Sequence, residues 1–518
     1  MSDPSAILLP VHQALTSDMM LGLKPSAPKS RSYRISVPPL NASLFQPGQQ
    51  MIFELPTGRR GTWLDQSQSF IKFSVQVQCA AGAGCAANAA GGIYIENTAY
   101  SFIQRLDVYN SSNLLETISE YGQLANFLID TQLTQSDKAG LSSMIGSNNI
   151  SNVVGVSSIA AGQAGVWPTV AAIPVLTTNT ETQRPGDRSG MSLAATNAIA
   201  GSIPYTFCLP VLSGVVGVNA SKMMPVGKLN APIRCEFYLA AQQDPLVSGT
   251  AGASAANIGP NWQIINAEFD VCYVELSDDA LDAPLQQGEQ EYISTTTYRQ
   301  SSTSIVGTTA GEITVLVPFR CASLTAVFAR FRPTSGFVNG ATATCGYTKS
   351  SSVNLNFASY YWRIGSSMYP NKPVYLLNTN TGNGAEGFAE LLKAFHALSA
   401  TIGNTTLGSQ QYNVITQNAA IQGWQPMAGS GDPKLILTSH NNAFAIGLEL
   451  QSFSNRSDTI LSGISTLNSQ VYFTASVIQG DQTGGNGNGG NGWTSTIDFF
   501  GQMDMILVLQ DGILSAKF

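Results

Sequence analysis

Leu229-Asn230-Ala231-Pro232-Ile233-Arg234-Cys235-Glu236-Phe237-Tyr238-Leu239 is a turn running into a short strand, and the order recurs once in the chain. At a distance of 238 residues, Leu467-Asn468 again precedes a strand, Val471 to Val477. Each strand is followed by a Gly-rich loop, a tryptophan (Trp262 or Trp493) and a long closing strand, residues 264–276 or 497–509. A period near 240 residues is far too long for a solenoid or propeller repeat, so a whole domain is duplicated.

Outward from this pair the pattern is alternation. Tyr33, Ile35 and Val37, then Met51, Phe53 and Leu55, then Ile71, Phe73, Val75 and Val77 each fall on one face of a half-buried strand. Further strands are expected at 102–109 and 205–212, with Gly, Ser, Asn and Ala between them. Two segments have helical spacing: residues 118–128, through Ile118, Tyr121, Leu124, Ala125 and Leu128, and residues 388–398, through Phe388, Leu391, Leu392, Phe395 and Leu398. Each helix follows a strand carrying an Arg-apolar pair, Arg105-Leu106 or Arg363-Ile364. Asp278, Asp279, Asp282, Pro284 and Gly288 interrupt the strands and mark a linker. The expected organisation is an arm (1–30), a first jelly roll (31–276), a linker (277–290) and a second jelly roll (291–518). The fold class is all-β: two tandem eight-stranded jelly rolls with a short helix in each and long loops.

Composition narrows the function. A chain of 518 residues has room for two large cores. Only 11% of it is charged, against about 25% in an ordinary soluble domain. A neutral polar surface costs less to desolvate than a charged one, which suits large permanent interfaces. The net charge of −7 argues against wrapping nucleic acid with the whole surface. No run reaches the roughly 18 apolar residues of a membrane span, and Met1-Ser2-Asp3-Pro4 lacks the shape of a secretion signal, so synthesis inside a host cell without a signal peptide is expected. Seven cysteines without a Cys-x-x-Cys pair read as scattered thiols. The redox state of the closest pair, Cys79 and Cys85, stays open.

Three stretches carry a resemblance: residues 207–212 (Phe-Cys-Leu-Pro-Val-Leu) through Met224-Pro-Val-Gly-Lys-Leu-Asn230, the strand Ile233 to Leu239, and the closing strand at 497–509. Over roughly residues 30 to 518 the chain resembles the double jelly-roll major capsid proteins of eukaryotic DNA viruses, the virophages, polinton-like viruses and nucleocytoplasmic large DNA viruses among them. The second half departs from the pattern, because Leu461-Ser-Gly-Ile-Ser-Thr-Leu-Asn468 stands where the first half has its proline-bearing turn. The resemblance implies a homotrimer whose six rolls form a pseudo-hexagonal capsomer of an icosahedral virion shell. Its partners would be neighbouring capsomers and penton and minor capsid proteins. Residues 131–202 and 336–352 would form outer towers or clasps. The arm, with apolar clusters Ile7-Leu8-Leu9 and Met19-Met20-Leu21, would join capsomers or an inner layer, and Lys24, Lys29, Arg31 and Arg34 would face a membrane or genome without specific nucleic-acid recognition.

The residues supply little chemistry. His12, His396 and His440 are the whole histidine complement and read as surface or packing residues. Gly485-x-Gly487-x-x-Gly490 has no following helix to hold a phosphate. Asp278, Asp279 and Asp282 lack an EF-hand spacing and read as a solvated linker. Glu268 and Asp270 share a strand face but read as solvent-facing, not as a glycosidase pair. Met223-Met224 reads as packing, and Arg59-Arg60 as a surface turn. No catalytic, cofactor or metal residue is expected, and the chain is read as a structural protein rather than an enzyme. The alternatives are a jelly-roll host-attachment or carbohydrate-binding spike, whose groove the 17 Tyr and 6 Trp would supply, and a β-rich glycoside hydrolase.

Overall fold

Strands placed by alternation become the two halves of a repeated topology. The computed structural model describes residues 29–78, 93–95, 97–133, 135–146, 204–220, 222–242, 244–248, 261–277, 290–307, 311–333, 352, 357–376, 384–395, 444–452, 461–477 and 493–518. The first half contains β1 (Ser30–Val37), β2 (Leu44–Phe45), β3 (Gln50–Leu55), β4 (Thr62–Gln78), β5 (Ile93–Ile95), β6 (Ile103–Asn110), β7 (Asn113–Ser119), α1 (Tyr121–Gln132), α2 (Gln135–Ile145), β8 (Tyr205–Pro210), β9 (Ile233–Leu239), β10 (Leu246–Ser248) and β11 (Asn261–Leu276). The second contains β12 (Gln290–Gly307), β13 (Gly311–Val317), β14 (Leu324–Pro333), β15 (Phe357–Ile364), β16 (Ser367–Tyr375), α3 (Ala385–Ala394), β17 (Ala445–Glu449), β18 (Val471–Val477), β19 (Trp493–Gln510) and β20 (Ile513–Lys517).

The first half forms two antiparallel sheets in the orders β1-β11-β4-β8 and β3-β9-β6-β7. The second repeats them strand for strand as β12-β19-β14-β17 and β13-β18-β15-β16. That crossing of strands between two facing sheets is the jelly roll, present twice. The long strands run beside the closing strands: β1 pairs with β11 from Ser30↔Leu276 to Val37↔Phe269, and β12 with β19 from Gln290↔Gln510 to Gly307↔Trp493.

Each roll is closed by aromatic side chains that reach from one sheet to the other. In the first, Phe53 of β3 and Phe237 of β9 meet Phe269 of β11 edge to face, with centroids 5.9 and 6.1 Å away. In the second, Trp362 of β15 and Phe473 of β18 lie 5.8 and 5.7 Å from Phe499 of β19. All six are fully buried, and each contributes about 1.5–3 kcal/mol of apolar burial or more. In β9 the apolar Ile233, Cys235, Phe237 and Leu239 are buried on one face, while on the other Arg234 pairs at 2.8 Å with Glu236, itself buried.

The helices differ from the sequence-based expectation. Ile118 is a strand residue, paired with Leu106, and α1 starts only after Glu120 takes a left-handed φ of 47°. Its burial satisfied the helical spacing equally well, which is why the pattern placed the helix early. Residues 131–202 are not a plain loop, since α1 runs to Gln132 and α2 occupies Gln135–Ile145. The sequence missed α2 because its apolar periodicity is weak. The second expected helix runs over Ala385–Ala394, with Phe395 capping it, and residues 396–398 lie outside the described residues.

Antiparallel pairing also sorts the connections between two ends. The described residues of the connections 56–61, 111–112, 211–220, 222–232, 318–323, 365–366, 450–452 and 461–470, together with the start of β1 and the end of β11, gather at one end, here called the short-loop end. The ends of β4 and β14 and the starts of β8 and β17 lie at the opposite end. The two rolls lie parallel, short-loop end beside short-loop end: the Lys228 ammonium pairs with Glu291, and the Asn230 backbone N–H donates to the Gly512 carbonyl at 2.8 Å.

Candidate functional site

The residues that matter most for an assembling molecule are those that fix one roll against the other. At the centre of the contact is Glu116 on β7, the outer strand of its sheet. A bulge in the β6–β7 pairing, between Val108↔Glu116 and Tyr109↔Leu114, leaves Leu115 and Glu116 buried in succession. The Glu116 carboxylate accepts from the Ser213 hydroxyl, from the Gly214 backbone N–H at 3.1 Å, and from the Thr297 hydroxyl of β12 in the second roll. Burial pushes its carboxyl pKa up, and the donated hydrogen bonds offset only part of that. Thr295, two residues along β12, donates back to the Gly214 carbonyl at 2.8 Å.

Around this carboxylate the contact is part polar and part aromatic. Asn110 and Asn113, at the β6–β7 turn, accept from the Leu514 N–H at 2.9 Å and donate to the Leu514 carbonyl at 3.1 Å. Further along, Phe127 of α1 inserts among Phe328, Phe395 and Phe500 of the second roll, at 5.6, 5.6 and 6.3 Å between centroids. The Arg330 guanidinium lies 5.5 Å over the Phe127 ring and donates to the Gln123 carbonyl at 3.3 Å. Sequence reasoning found Phe127 only as one residue of a helix and did not find Glu116. A glutamate in an edge strand carries no signal of burial when the groups that meet it, Ser213 and Thr297, lie 97 and 181 residues away.

The candidates named from sequence are dispersed. His12, His396, His440, Cys79, Cys85, Asp278, Asp279, Asp282, Lys24 and Gly485-x-Gly487-x-x-Gly490 lie outside the described residues. Glu268 is half exposed and pairs with Lys72 at 2.5 Å. Asp270 is buried and accepts from the hydroxyl of Ser36, its cross-strand neighbour on β1, which corrects its reading as solvent-facing. Met224 is fully buried at an isolated bridge with Leu64, whereas Met223 is exposed. Among the described cysteines, Cys235 and Cys321 are buried, and burial pushes their thiols up, away from nucleophilic character. No group of three His, Cys, Asp or Glu side chains that could hold a metal occurs among the described residues.

Arg59 and Arg60 do sit in a surface turn, between β3 and β4. With Lys29, Arg31, Glu275 and Ser277 they line a cleft of about 610 Å³ at the short-loop end. Arg31 donates to Glu275 through Nε and Nη2 at 3.0 and 2.8 Å.

These two features, a doubled jelly roll and a buried junction holding its halves parallel, define an all-β double jelly-roll protein. Solved structures share the fold. A chain of the Sputnik virophage, solved by cryo-EM, is 10% identical with a TM-score of 0.54 and covers 97% of this chain and 92% of its own. The Faustovirus major capsid protein is 9% identical, TM-score 0.52, covering 96% and 93%. PBCV-1 VP54, fitted into a reconstruction of Sputnik, is 10% identical, TM-score 0.51, covering 96% and 99%. At such identities the likeness is one of fold: this chain has the double jelly-roll architecture of viral major capsid proteins. No family model and no curated protein matches the sequence.

Two substitutions test the junction. Glu116→Ala strands the hydroxyls of Ser213 and Thr297 and the Gly214 N–H, and is expected to cost about 2–4 kcal/mol in denaturant unfolding. Glu116→Gln removes a pH dependence instead. With the folded pKa above the ordinary 4.5, the stability carried by this carboxyl is complete below pH 4.5 and lost as pH rises through the folded value. The difference between wild-type and Gln variant midpoints is expected to grow over that window in the variant's favour. Phe127→Ala removes the aromatic insertion, with an expected loss of about 3–5 kcal/mol and separation of one unfolding transition into two by calorimetry.

Proposed function

We propose that this chain is a structural major capsid protein, forming homotrimers whose six jelly rolls make a pseudo-hexagonal capsomer that tiles an icosahedral virion shell. The observation that carries the reading is the strand-for-strand repeat of sheet order in two rolls held parallel and side by side. Three such chains supply six similar edges around a three-fold axis, and hexagonal footprints cover a surface with few gaps. A surface with few charged residues suits burial in interfaces of that kind, which run beyond about 2,000 Å² when obligate. In this reading the chain is not an enzyme, its partners are neighbouring capsomers with penton and minor capsid proteins, and it resides in the virion.

The spike reading draws less support. Trp262 and Trp362, large aromatics that a glycan groove would need at the surface, are fully buried core residues.

The long segments at one end would form the outer face, and the arm would leave from the other, where Lys29 and Ser30 begin the described chain beside Leu276 and Ser277. The extent of the two rolls and the linker, taken as 31–276, 277–290 and 291–518, is part of the same proposal.

Light scattering of the purified chain is expected to give about 164 kDa, three times 54.7 kDa, with hexagonal particles in negative stain. A well-folded monomer at micromolar concentration overturns the reading. Deleting residues 1–28 is expected to leave trimers intact and impair shell formation in microscopy. Normal shells, or a failure to fold, count against the role given to the arm.

A further inference from the structure

Each of the four large sheets ends in two edge strands, whose outward backbone groups can recruit another chain unless something covers or blunts them. Most of these edges are protected. β7 and β12 face each other across the junction, and α2 and α3 lie against β8 and β17. β1 carries Arg31 and Arg34, and β16 carries Lys372 between Pro370 and Pro373. The edge of β3 is covered from within the chain. There the Leu40 N–H donates to the Ile52 carbonyl at 2.8 Å, the Ile52 N–H donates to the Asn41 side chain at 3.3 Å, and that side chain donates to the Gln50 carbonyl at 2.6 Å.

β13 is the counterpart of β3 in the second roll, and it has no such cover among the described residues. Its outward groups follow from the repeat. Glu236 of β9 and Thr474 of β18 correspond at the 238-residue spacing, and they pair with Ile52 and Thr314. Thr314 therefore turns its N–H and carbonyl away from β18, as Ile52 turns its own away from β9. The hydroxyls of Thr314 and Thr474 lie 3.2 Å apart, the close side-chain contact of a cross-strand pair that exchanges no backbone bonds. Glu312 and Leu316, two positions to either side, point the same way. All three are exposed, Leu316 to 47%, and the Tyr361 hydroxyl donates to the Glu312 carboxylate at 2.9 Å. The strand contains neither proline nor lysine.

A second copy of β13 is a poor occupant of this edge. Identical edges pair antiparallel about an axis that reverses the strands, which turns one copy end for end, whereas copies in one shell stand the same way up.

We propose that β13 takes up an extended segment of a different protein as an added antiparallel strand, with an apolar residue opposite Leu316 and a basic one opposite Glu312. The backbone groups of Glu312, Thr314 and Leu316 supply the hydrogen bonds, and their exposed side chains select the partner by charge and shape. Because β3 is covered and β13 is open, the edge is offered once per chain. A trimer would present it at its true three-fold positions and not at all six rolls. That multiplicity rests on the shell reading, while strand addition itself does not.

The test is anisotropy of a fluorescent peptide titrated with the full chain, its valines alternating with leucine, threonine and lysine in that order. Antiparallel pairing sets the leucine opposite Leu316 and the lysine opposite Glu312. Wild-type chain is expected to bind it saturably. N-methylation of the leucine, threonine and lysine is expected to abolish binding, and N-methylation of the valines to leave it, since only the first set faces β13. Thr314→Pro removes an outward donor at an edge position that tolerates proline, and is expected to lower affinity about tenfold with the chain still folded by circular dichroism. Thr314→Val keeps the N–H and is expected to bind like wild type. Glu312→Lys is expected to prefer a peptide with glutamate in place of the lysine. The proposal is overturned by no binding to wild-type chain, by equal binding to Thr314→Pro, by loss on methylating the valines instead, or by self-association of the chain that Thr314→Pro abolishes. A monomeric chain that binds the peptide in the expected pattern fails the shell reading alone.

Discussion

Everything distinctive about this molecule depends on burying the outer strand of one sheet sandwich against the neighbouring sandwich. β7 would be an exposed edge in a single jelly roll, with groups free to recruit another chain. Here the second roll covers it, and the cost of burying Glu116 is offset in part by donors from both rolls: Ser213 and Gly214 on one side, Thr297 on the other. A buried carboxylate of this kind is weak as a source of stability and strong as a constraint on geometry, because a small slip of one roll would leave a desolvated group unpaired. Phe127, inserted among three phenylalanines of the second roll, supplies apolar area at the same contact and tolerates displacement better.

Fixing the rolls in parallel has a consequence at both ends. Connections of the same kind from both rolls come to lie together, so the short turns of both rolls share one end of the molecule. The arginines of the β3–β4 turn and exposed apolar residues of both rolls lie at that end as well. Such polarity suits a subunit whose two faces meet different surroundings.

Duplication also set the limits of equivalence. Leu229-Asn230 and Leu467-Asn468 precede corresponding strands, yet Leu229 is buried and Leu467 is half exposed. The two asparagines differ in setting too: Asn230 lies at the junction, where it donates through its side chain to the Asp511 carbonyl at 2.7 Å and through its backbone to Gly512. Arg105-Leu106 and Arg363-Ile364 likewise sit on corresponding strands, β6 and β15, but near opposite ends of them.

What the sequence determined by itself was the strand inventory and its repetition. Ile233–Leu239 and Val471–Val477 were bounded correctly, because a period-2 apolar pattern with turn residues at both ends is a local signal. The jelly-roll class followed from order and length, and the resemblance pointed to the same fold. Tertiary structure alone decided the rest. Asp270 as buried and not solvent-facing and Glu116 as the centre of the junction depend on partners far along the chain, at 36 and 297, while Ile118 as strand and not helix depends on its pairing with Leu106 across the β6–β7 hairpin. Burial is a property of what covers a residue, and in a fold whose strands pair across more than two hundred positions the covering chain is seldom within reach of a local pattern.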